Sequence, residues 1–433
     1  MAIYLGFGSN LGDRRELLGS ALRLLEEKDL RLLRVSPTVE SPALLPKEAR
    51  SDWNRPYLNL AVECETETTP SQVRQWISEI ESRLGRGRAA RAEEGQRWSP
   101  RPIDIDILLW GDEIISTPEL TIPHRDLHLR GFVLTPLISL QPRLTIPGRG
   151  PKTLLDWSTE LRHHIPLWMG IVNVTPDSFS DGGLHTDWSR VEPQVEEMVR
   201  AGAQIIDVGA ESTRPGAQPI GPEVEWSRLA PVLEPLVAKY GNSSQALVRP
   251  LVSVDTYHPE VAERALELGI DIVNDVSGLT SSRMIDLARS SGADWVALHQ
   301  LTLPVDPKVT LPPDCDPVDE VEKWLEERLV AWESAGLDLN RLIVDPGIGF
   351  GKNPLQSLEL LRHAGRFRRH GLRTLIGHSR KSFMKGFTSG VRDQDLATIG
   401  ASLRLCEGAI DILRVHNVPD HISAYRGWSH LVG

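Results

Sequence analysis

The chain has 433 residues, enough for two domains of ordinary size, with 40% hydrophobic and 25% charged residues. That balance builds a packed core and excludes a disordered tail protein, a collagen-like fibre and a miniprotein held by disulfides. With 48 Lys plus Arg against 59 Asp plus Glu, the net charge is −11. An overall attraction to nucleic acid or to an anionic membrane is excluded, while local arginine clusters can still take small phosphorylated ligands.

Residues 1–8 read as a strand with no charged n-region or apolar h-region, the pattern expected of a cytoplasmic protein. The longest apolar stretches are only strand-sized, so no membrane-spanning helix is expected. Cys64, Cys315 and Cys406 lie far apart without CxxC spacing and read as reduced thiols. In chain order, residues 3–7 suggest a strand and 14–27 an amphipathic helix capped by Asp13. Further strands are expected at 32–40, 57–65 and 104–110, with a helix over 70–83. This order suits an α+β sandwich of ferredoxin-like type. The Pro/Gly cluster at 147–151 and the short helical stretch after it place a domain boundary between 1–158 and 159–433.

Beyond that boundary the pattern repeats. Short β-branched runs at 169–174, 205–209, 251–255, 271–275, 295–299, 342–345, 374–378 and 412–416 alternate with helical patterns. Eight βα units in a domain of roughly 250 residues predict a TIM (β/α)8 barrel, and no GxGxxG supports a dinucleotide-binding sheet instead. Most runs end in polar residues: Asn173, Asp207, Asp255, Asn274, Asp275, His299, Asp345, Arg414 and His416. The C-terminal strand ends of such a barrel share one rim, so these scattered residues should converge there.

Four segments after the strands carry chemistry: 173–183 (NVTPDSFSDGG), 211–216 (ESTRPG), 345–353 (DPGIGFGKN) and 377–382 (GHSRKS). Glycines in the third allow close approach of backbone to a flat ligand. Basic residues Arg380 and Lys381, placed at a helix start, would oppose its dipole and so favour a ligand role. These segments, continuing to Arg414-Val415-His416, resemble dihydropteroate synthase. The resemblance implies condensation of hydroxymethyl-dihydropterin diphosphate with p-aminobenzoate, releasing pyrophosphate. Asp345 would accept the paired N–H donors of the pterin's amino-pyrimidinone edge, with Asn274, Asp255 and Lys381 reading the rest of the ring. Arg414 would stack on the pterin face, and Asp255 would stabilise the cation-like carbon as pyrophosphate leaves. Arg214, Arg414, His416, Asn173 and one bound Mg²⁺ would take the pyrophosphate charge. Lys381, Ser382, Pro215, Thr213 and Phe350 resemble a p-aminobenzoate pocket. One departure is His299-Gln300-Leu301-Thr302, where the family shows a Met- and Gly-containing turn; His299 reads as a structural histidine.

In the first domain Asp104 and Asp106 sit two apart on an expected strand, so both carboxylates face one side with Cα atoms about 6.6 Å apart. Such a pair can bridge metal ions, and Arg86, Arg88, Arg97, Arg101 and Arg130 surround it in sequence. Metal-binding carboxylates with guanidinium groups suit phosphoryl transfer from a nucleotide, and no GxxxxGK[ST] is present. With residues 6–14 (GFGSNLGDR), Trp98 to Asp106, His124 and Arg130-Gly131-Phe132, these segments resemble 6-hydroxymethyl-dihydropterin pyrophosphokinase. The resemblance implies transfer of a diphosphate from ATP to the pterin hydroxymethyl group, leaving AMP. Asp104 and Asp106 would hold two Mg²⁺, and Arg88 and Arg101 would neutralise the transferring group. His124, Arg130 and Ile107 would contact the nucleotide. The pterin would lie between Tyr57 and Phe132, with Pro42, Leu44, Asn59 and Trp98 around it. The 89–96 loop is longer than in short family members.

The product of the first implied reaction is the substrate of the second, so the chain reads as a bifunctional folate-synthesis enzyme acting on small molecules, with a dimer through barrel helices implied by resemblance. Two other readings stay open on sequence: a barrel serving as a pterin-binding methyl-transfer module, or one domain acting as a non-catalytic scaffold.

Overall fold

The computed structural model describes residues 2–86, 99–175, 187–211, 218–242, 244–386 and 388–432, with backbone only for residues 382, 385 and 432. The chain divides into two compact units, one of Met1–Ile165 with Ala246–Arg249 and Val432–Gly433, the other of Pro166–Gln245 with Pro250–Leu431.

The first unit is built on an antiparallel sheet. Its strands are β1 (Ala2–Ser9), β2 (Arg31–Val35), β3 (Val39–Ser41), β4 (Tyr57–Glu65) and β5 (Asp104–Trp110). The order is β2-β4-β1-β5, with β3 also on β4. Two helices, Arg14–Glu26 and Pro70–Arg83, connect strands that are not neighbours and cover one face. That is the expected ferredoxin-like α+β arrangement. Leu18, Leu22 and Leu25 of the first helix and Val73, Ile77 and Ile80 of the second bury against Ile3, Leu5, Phe7, Leu60 and Ile105. Part of the other face is covered by the helices Gly131–Leu140 and Leu154–Thr159, whose Leu134, Leu137, Leu154 and Leu155 meet Tyr4, Ala61 and Leu109. The last of these helices therefore belongs to the first unit's core.

The strand expected over 32–40 is broken into β2 and β3. Pro37 has no amide hydrogen for the ladder. Next to it, the Ser36 hydroxyl accepts from the Ala61 amide at 2.9 Å and takes over part of the pairing. A small ribbon, β6 (Ile115–Ser116) with β7 (Thr121–Ile122), completes the unit.

The second unit is a closed eight-stranded parallel barrel, as expected. Around it run β8 (Leu167–Asn173), β9 (Ile205–Gly209), β10 (Leu251–Asp255), β11 (Ile272–Asp275), β12 (Asp294–Leu298), β13 (Leu342–Asp345), β14 (Arg373–Ile376) and β15 (Ile412–Val415), which closes on β8. Every strand pairs in register with the next, for example Asp255 with Asn274 and Leu298 with Asp345, so the polar strand ends lie on one rim. Prolines 222, 259, 317 and 354 open outer helices at the position where a missing amide costs nothing. No helix among the described residues is long and apolar enough to cross a membrane.

Candidate active sites

In the first unit the sheet register assembles the site. Gly8 of β1 lies opposite Asn59 of β4 on one side and Asp104 of β5 on the other, and Gly6 lies opposite Ala61 and Asp106. Directly opposed residues share a face, so Asp104, Asp106, Asn59 and, two residues before it, Tyr57 stand on the face away from the Phe7–Leu60–Ile105 core. A Cβ on Gly8 would sit 3.2 Å from Asn59 Oδ1 and 3.4 Å from Tyr57 Cδ1. The bare centre strand is what lets the flanking side chains close over it.

Asp104 is half-buried between two arginines: Arg86 Nη1 lies 2.5 Å from its Oδ1 and Arg101 Nη1 3.2 Å from its Oδ2. Arg86 also pairs with Glu81, whose Oε1 accepts from the Ile105 amide at 3.0 Å. Glu81 has no role in the sequence reading. Its signal was its place on the apolar stripe Val73–Ile77–Glu81, where a carboxylate must be compensated. Asn10 is a second unforeseen part: its Oδ1 accepts from the Arg101 amide at 2.7 Å and fixes the start of the Arg101 segment to the end of β1.

Among the described residues no side chain donates a hydrogen bond to Asp106. Burial, then the charges of Asp104 and Glu81, push its carboxyl up to about 7. An acidic pair with one member this poorly compensated fits a divalent cation. His124 is held by its amide on the Leu108 carbonyl, 2.9 Å away, and its Nδ1 is buried without a partner among the described residues. Arg130 donates to Asp126 at 2.7 Å, with its guanidinium carbon 6.0 Å from the Phe132 ring centre. Pro42 and Phe132 are half-buried, whereas Leu44 is 54% exposed. Ile107 lies on the other side of β5. Its side chain is buried in the helix-covered core, on the face opposite Asp104 and Asp106, so only its main chain can meet a nucleotide. Arg88, Trp98 and the 89–96 loop lie outside the described residues.

At the barrel rim, charges from four strands meet. Arg414 of β15 reaches across the mouth and places Nε 2.6 Å from Asp207 Oδ2 of β9, while its Nη2 contacts Asp255 Oδ2 of β10. Asp207 is fully buried and also accepts from Ser253 Oγ at 2.6 Å and Asn274 Nδ2 at 3.3 Å. Sequence reasoning placed Asp207 on the rim without a task; it is the anchor that orients Arg414 and Asn274. Burial raises Asp255 to about 6 against the opposing pull of Arg414. Burial likewise raises Asp345, whose Oδ1 accepts from the Gly347 amide at 2.7 Å. The Lys381 ammonium lies 4.4 Å from the Phe350 ring centre, and Ser379 Oγ lies 2.9 Å from His416 Nδ1. Asn173 ends β8, half-buried and in register with Gly209. Thr213, Arg214, Pro215 and the side chain of Ser382 lie outside the described residues.

Two families cover these two halves. The family model of 7,8-dihydro-6-hydroxymethylpterin-pyrophosphokinase matches residues 4–142, and that of the pterin binding enzymes matches 169–416. The folate synthesis bifunctional protein of Chlamydia caviae is 37% identical, across 96% of this chain and 95% of the relative. The chain belongs to the bifunctional folate synthesis proteins. Among solved structures it is similar to dihydropteroate synthase from Anaplasma phagocytophilum with bound 6-hydroxymethylpterin-monophosphate, at 33% identity, TM-score 0.55, and 61% of this chain against 99% of that one. The synthase from Xanthomonas albilineans with 4-aminobenzoic acid is 36% identical with TM-score 0.54, over 61% and 93%. A pyrophosphokinase and a dihydropteroate synthase therefore share the chain, and the methyl-transfer reading of the barrel is not favoured.

Within this folate synthesis protein the altered turn after β12 has a structural explanation. Lys352 is buried with Nζ 2.5 Å from His299 Nδ1 and 3.0 Å from the His299 carbonyl, and the His299 ring meets Trp324 edge-on at 5.0 Å. Burial, with the Lys352 charge, pushes His299 down to about 2, so it is a neutral acceptor. Arg380 also differs from expectation. The next long helix starts only at Val391, and Arg380 binds its Asp395 through Nε at 2.7 Å and Nη2 at 2.9 Å. It braces the segment carrying Lys381.

Gly347 is where the turn after β13 most needs glycine. Its φ is +70° and a Cβ there would lie 1.8 Å from the His299 carbonyl oxygen. Gly347→Ala is expected to cost the second unit about 2–4 kcal/mol. By displacing Asp345 it should lower synthase activity by up to about 100-fold. Following both activities through a urea titration checks this: the pyrophosphokinase midpoint should stay put while that of the synthase drops.

Proposed function

We propose that the first unit transfers the terminal diphosphate of ATP to the hydroxymethyl oxygen of 6-hydroxymethyl-7,8-dihydropterin, releasing AMP, and that the second joins this product to p-aminobenzoate, releasing pyrophosphate. The observation that carries the reading is that both acidic sets are complete in one chain, Asp104 with Asp106 and Asp255 with Asp345. In the first reaction the hydroxymethyl oxygen attacks the β-phosphorus and gives up its proton to solvent, while the bond from that phosphorus to the α-phosphate oxygen breaks and AMP leaves. Arg88 and Arg101 neutralise the moving group; His124, Arg130 and the Ile107 main chain hold the nucleotide. Tyr57 and Phe132 sandwich the pterin, with Pro42, Leu44, Asn59 and Trp98 beside it. Asp104 and Asp106 would hold two Mg²⁺ on the triphosphate, supplying charge neutralisation and alignment.

In the second reaction Asp345 accepts the ring's paired N–H donors, and Asn274, Asp255 and Lys381 read the remaining edge. Arg414, held flat by Asp207 and Asp255, stacks on the ring. The bond from methylene carbon to pyrophosphate oxygen breaks as the arylamine nitrogen bonds to that carbon and gives up a proton. Arg214, Arg414 and His416 take the leaving charge, and Asn173 would hold one Mg²⁺ there as a further counter-charge. Thr213, Pro215, Phe350, Lys381 and Ser382 surround the p-aminobenzoate. The proposal extends to a cytoplasmic enzyme with no nucleic acid or membrane partner, consistent with its net charge of −11. It also includes a homodimer through the barrel helices, for which sedimentation velocity is the check. The decisive assay supplies Mg²⁺, ATP, hydroxymethyl-dihydropterin and labelled p-aminobenzoate and follows AMP and labelled pteroate together. AMP without pteroate removes the synthase half of the proposal.

Asp106 makes the first reaction pH-dependent in a defined direction. Its folded-state carboxyl sits at about 7, raised from 3.8. Metal binding needs the ionised form, so Mg²⁺ affinity in the presence of a non-hydrolysable ATP analogue should fall by about tenfold from pH 8 to pH 6. Without metal, the raised value means that the folded first unit loses stability as pH rises from about 4 to 7. Mg²⁺ should therefore raise its melting temperature more at pH 8 than at pH 6. Calorimetric titration and melting at the two pH values measure both effects.

A further inference from the structure

Outside both sites, three side chains able to ligate a metal meet on the second unit. Glu211 stands two residues past β9, Glu225 in the first turns of the helix Pro222–Tyr240, and His258 immediately before the helix Pro259–Leu268. One ligand atom from each lies within 4.8 Å of the others. His258 Nε2 is 3.3 Å from Glu211 Oε2, 4.0 Å from Glu225 Oε2 and 3.0 Å from the carbonyl oxygen of Ile220.

Half of each carboxylate is already engaged. Glu211 Oε1 accepts from the Tyr257 hydroxyl at 2.7 Å and from the Ile220 amide at 3.2 Å, and Glu225 Oε2 accepts from Thr256 Oγ1 at 3.0 Å. The other two oxygens, Glu211 Oε2 and Glu225 Oε1, are buried without a hydrogen bond among the described residues. The Glu225 side chain is 1% exposed, so its free oxygen has no recourse to water. Arg228 is a cation whose charge reaches Glu225, and its Nη1 donates to the Ala210 carbonyl at 3.2 Å. Two buried carboxylates with unused oxygens are costly unless a cation joins them. An imidazolium N–H points at one acceptor at a time. A divalent ion can draw on both carboxylates, the imidazole and the Ile220 carbonyl together, and its two charges cancel theirs.

We propose that Glu211, Glu225 and His258, with the Ile220 carbonyl as a fourth ligand, form a divalent transition-metal site of the Zn²⁺ class. The imidazole selects against Mg²⁺, which prefers oxygen and water. Position makes the site a staple: it joins the strand end that leads into Thr213, Arg214 and Pro215 to the starts of two outer helices.

The test uses the full-length protein, stripped by chelator and kept in excess Mg²⁺ to fill oxygen-ligand sites, with Co²⁺ as the probe. Expected is one Co²⁺ per chain with visible ligand-field absorption, displaced by an equivalent of Zn²⁺. His258→Gln and Glu225→Gln should each weaken binding by at least about 100-fold. The wild type alone gives an independent readout, a paramagnetically shifted imidazole proton in the Co²⁺ form. Absence of tight Co²⁺ binding in Mg²⁺, binding equal in the wild type and both variants, or bound Co²⁺ without the shifted imidazole signal each overturns the site.

Discussion

Asp104→Asn should lower kcat/KM for diphosphate transfer by about 1,000-fold, roughly 4 kcal/mol of transition-state stabilisation. The carboxylate does two things in the folded protein. It stands beside Asp106 as half of an acidic pair, and it anchors Arg86 and Arg101, which lie 2.5 and 3.2 Å from its two oxygens. An amide keeps the size but loses the charge, so a metal–nucleotide complex would be held by one anionic ligand and both guanidinium groups would lose a counter-ion. AMP release in a purified variant measures the effect. Pteroate formation from supplied pterin diphosphate should be unchanged, because Asp104 belongs to the first unit only. Loss of both activities would contradict independent sites, and retained AMP release would move the metal to other ligands.

The second large effect is expected at Asp345. Its Oδ1 is pinned by the Gly347 amide at 2.7 Å and the whole group is buried at the end of β13. In the proposed pose both oxygens receive ring N–H donors. Asp345→Asn turns one acceptor into a donor facing a donor, in a site where water cannot repair the mismatch. Synthase kcat/KM should fall by about 1,000-fold. Calorimetry with the pterin diphosphate should show the loss in binding, while pyrophosphokinase activity is untouched. A loss smaller than tenfold would shift ring recognition to Asp255 and Asn274.

The elements were legible because their signals are local. Eight β-branched runs, most closed by polar residues, mark eight strands, and a proline or Asp opens most helices. The acidic pair at 104 and 106 was legible for the same reason, since period two alone puts both on one face. Legibility failed wherever a partner is remote. Arg380 reads as a free cation until its position against Asp395 is known.

By itself, then, the sequence determined the two-part organisation, the strand and helix periodicity and the families to which its motifs belong, all of which rest on short-range patterning and spacing. Only the tertiary structure decided the charge pairings. Arg414 meets Asp207 across 207 positions of chain and Asp255 across 159. Lys352 finds His299 across 53, and Glu81 joins Arg86 and Asp104 through the packing of a helix on a sheet. Such pairs form because barrel closure and sheet register bring buried charges within a few ångströms, where leaving any one of them uncompensated would cost several kcal/mol. No local pattern encodes which partner that will be.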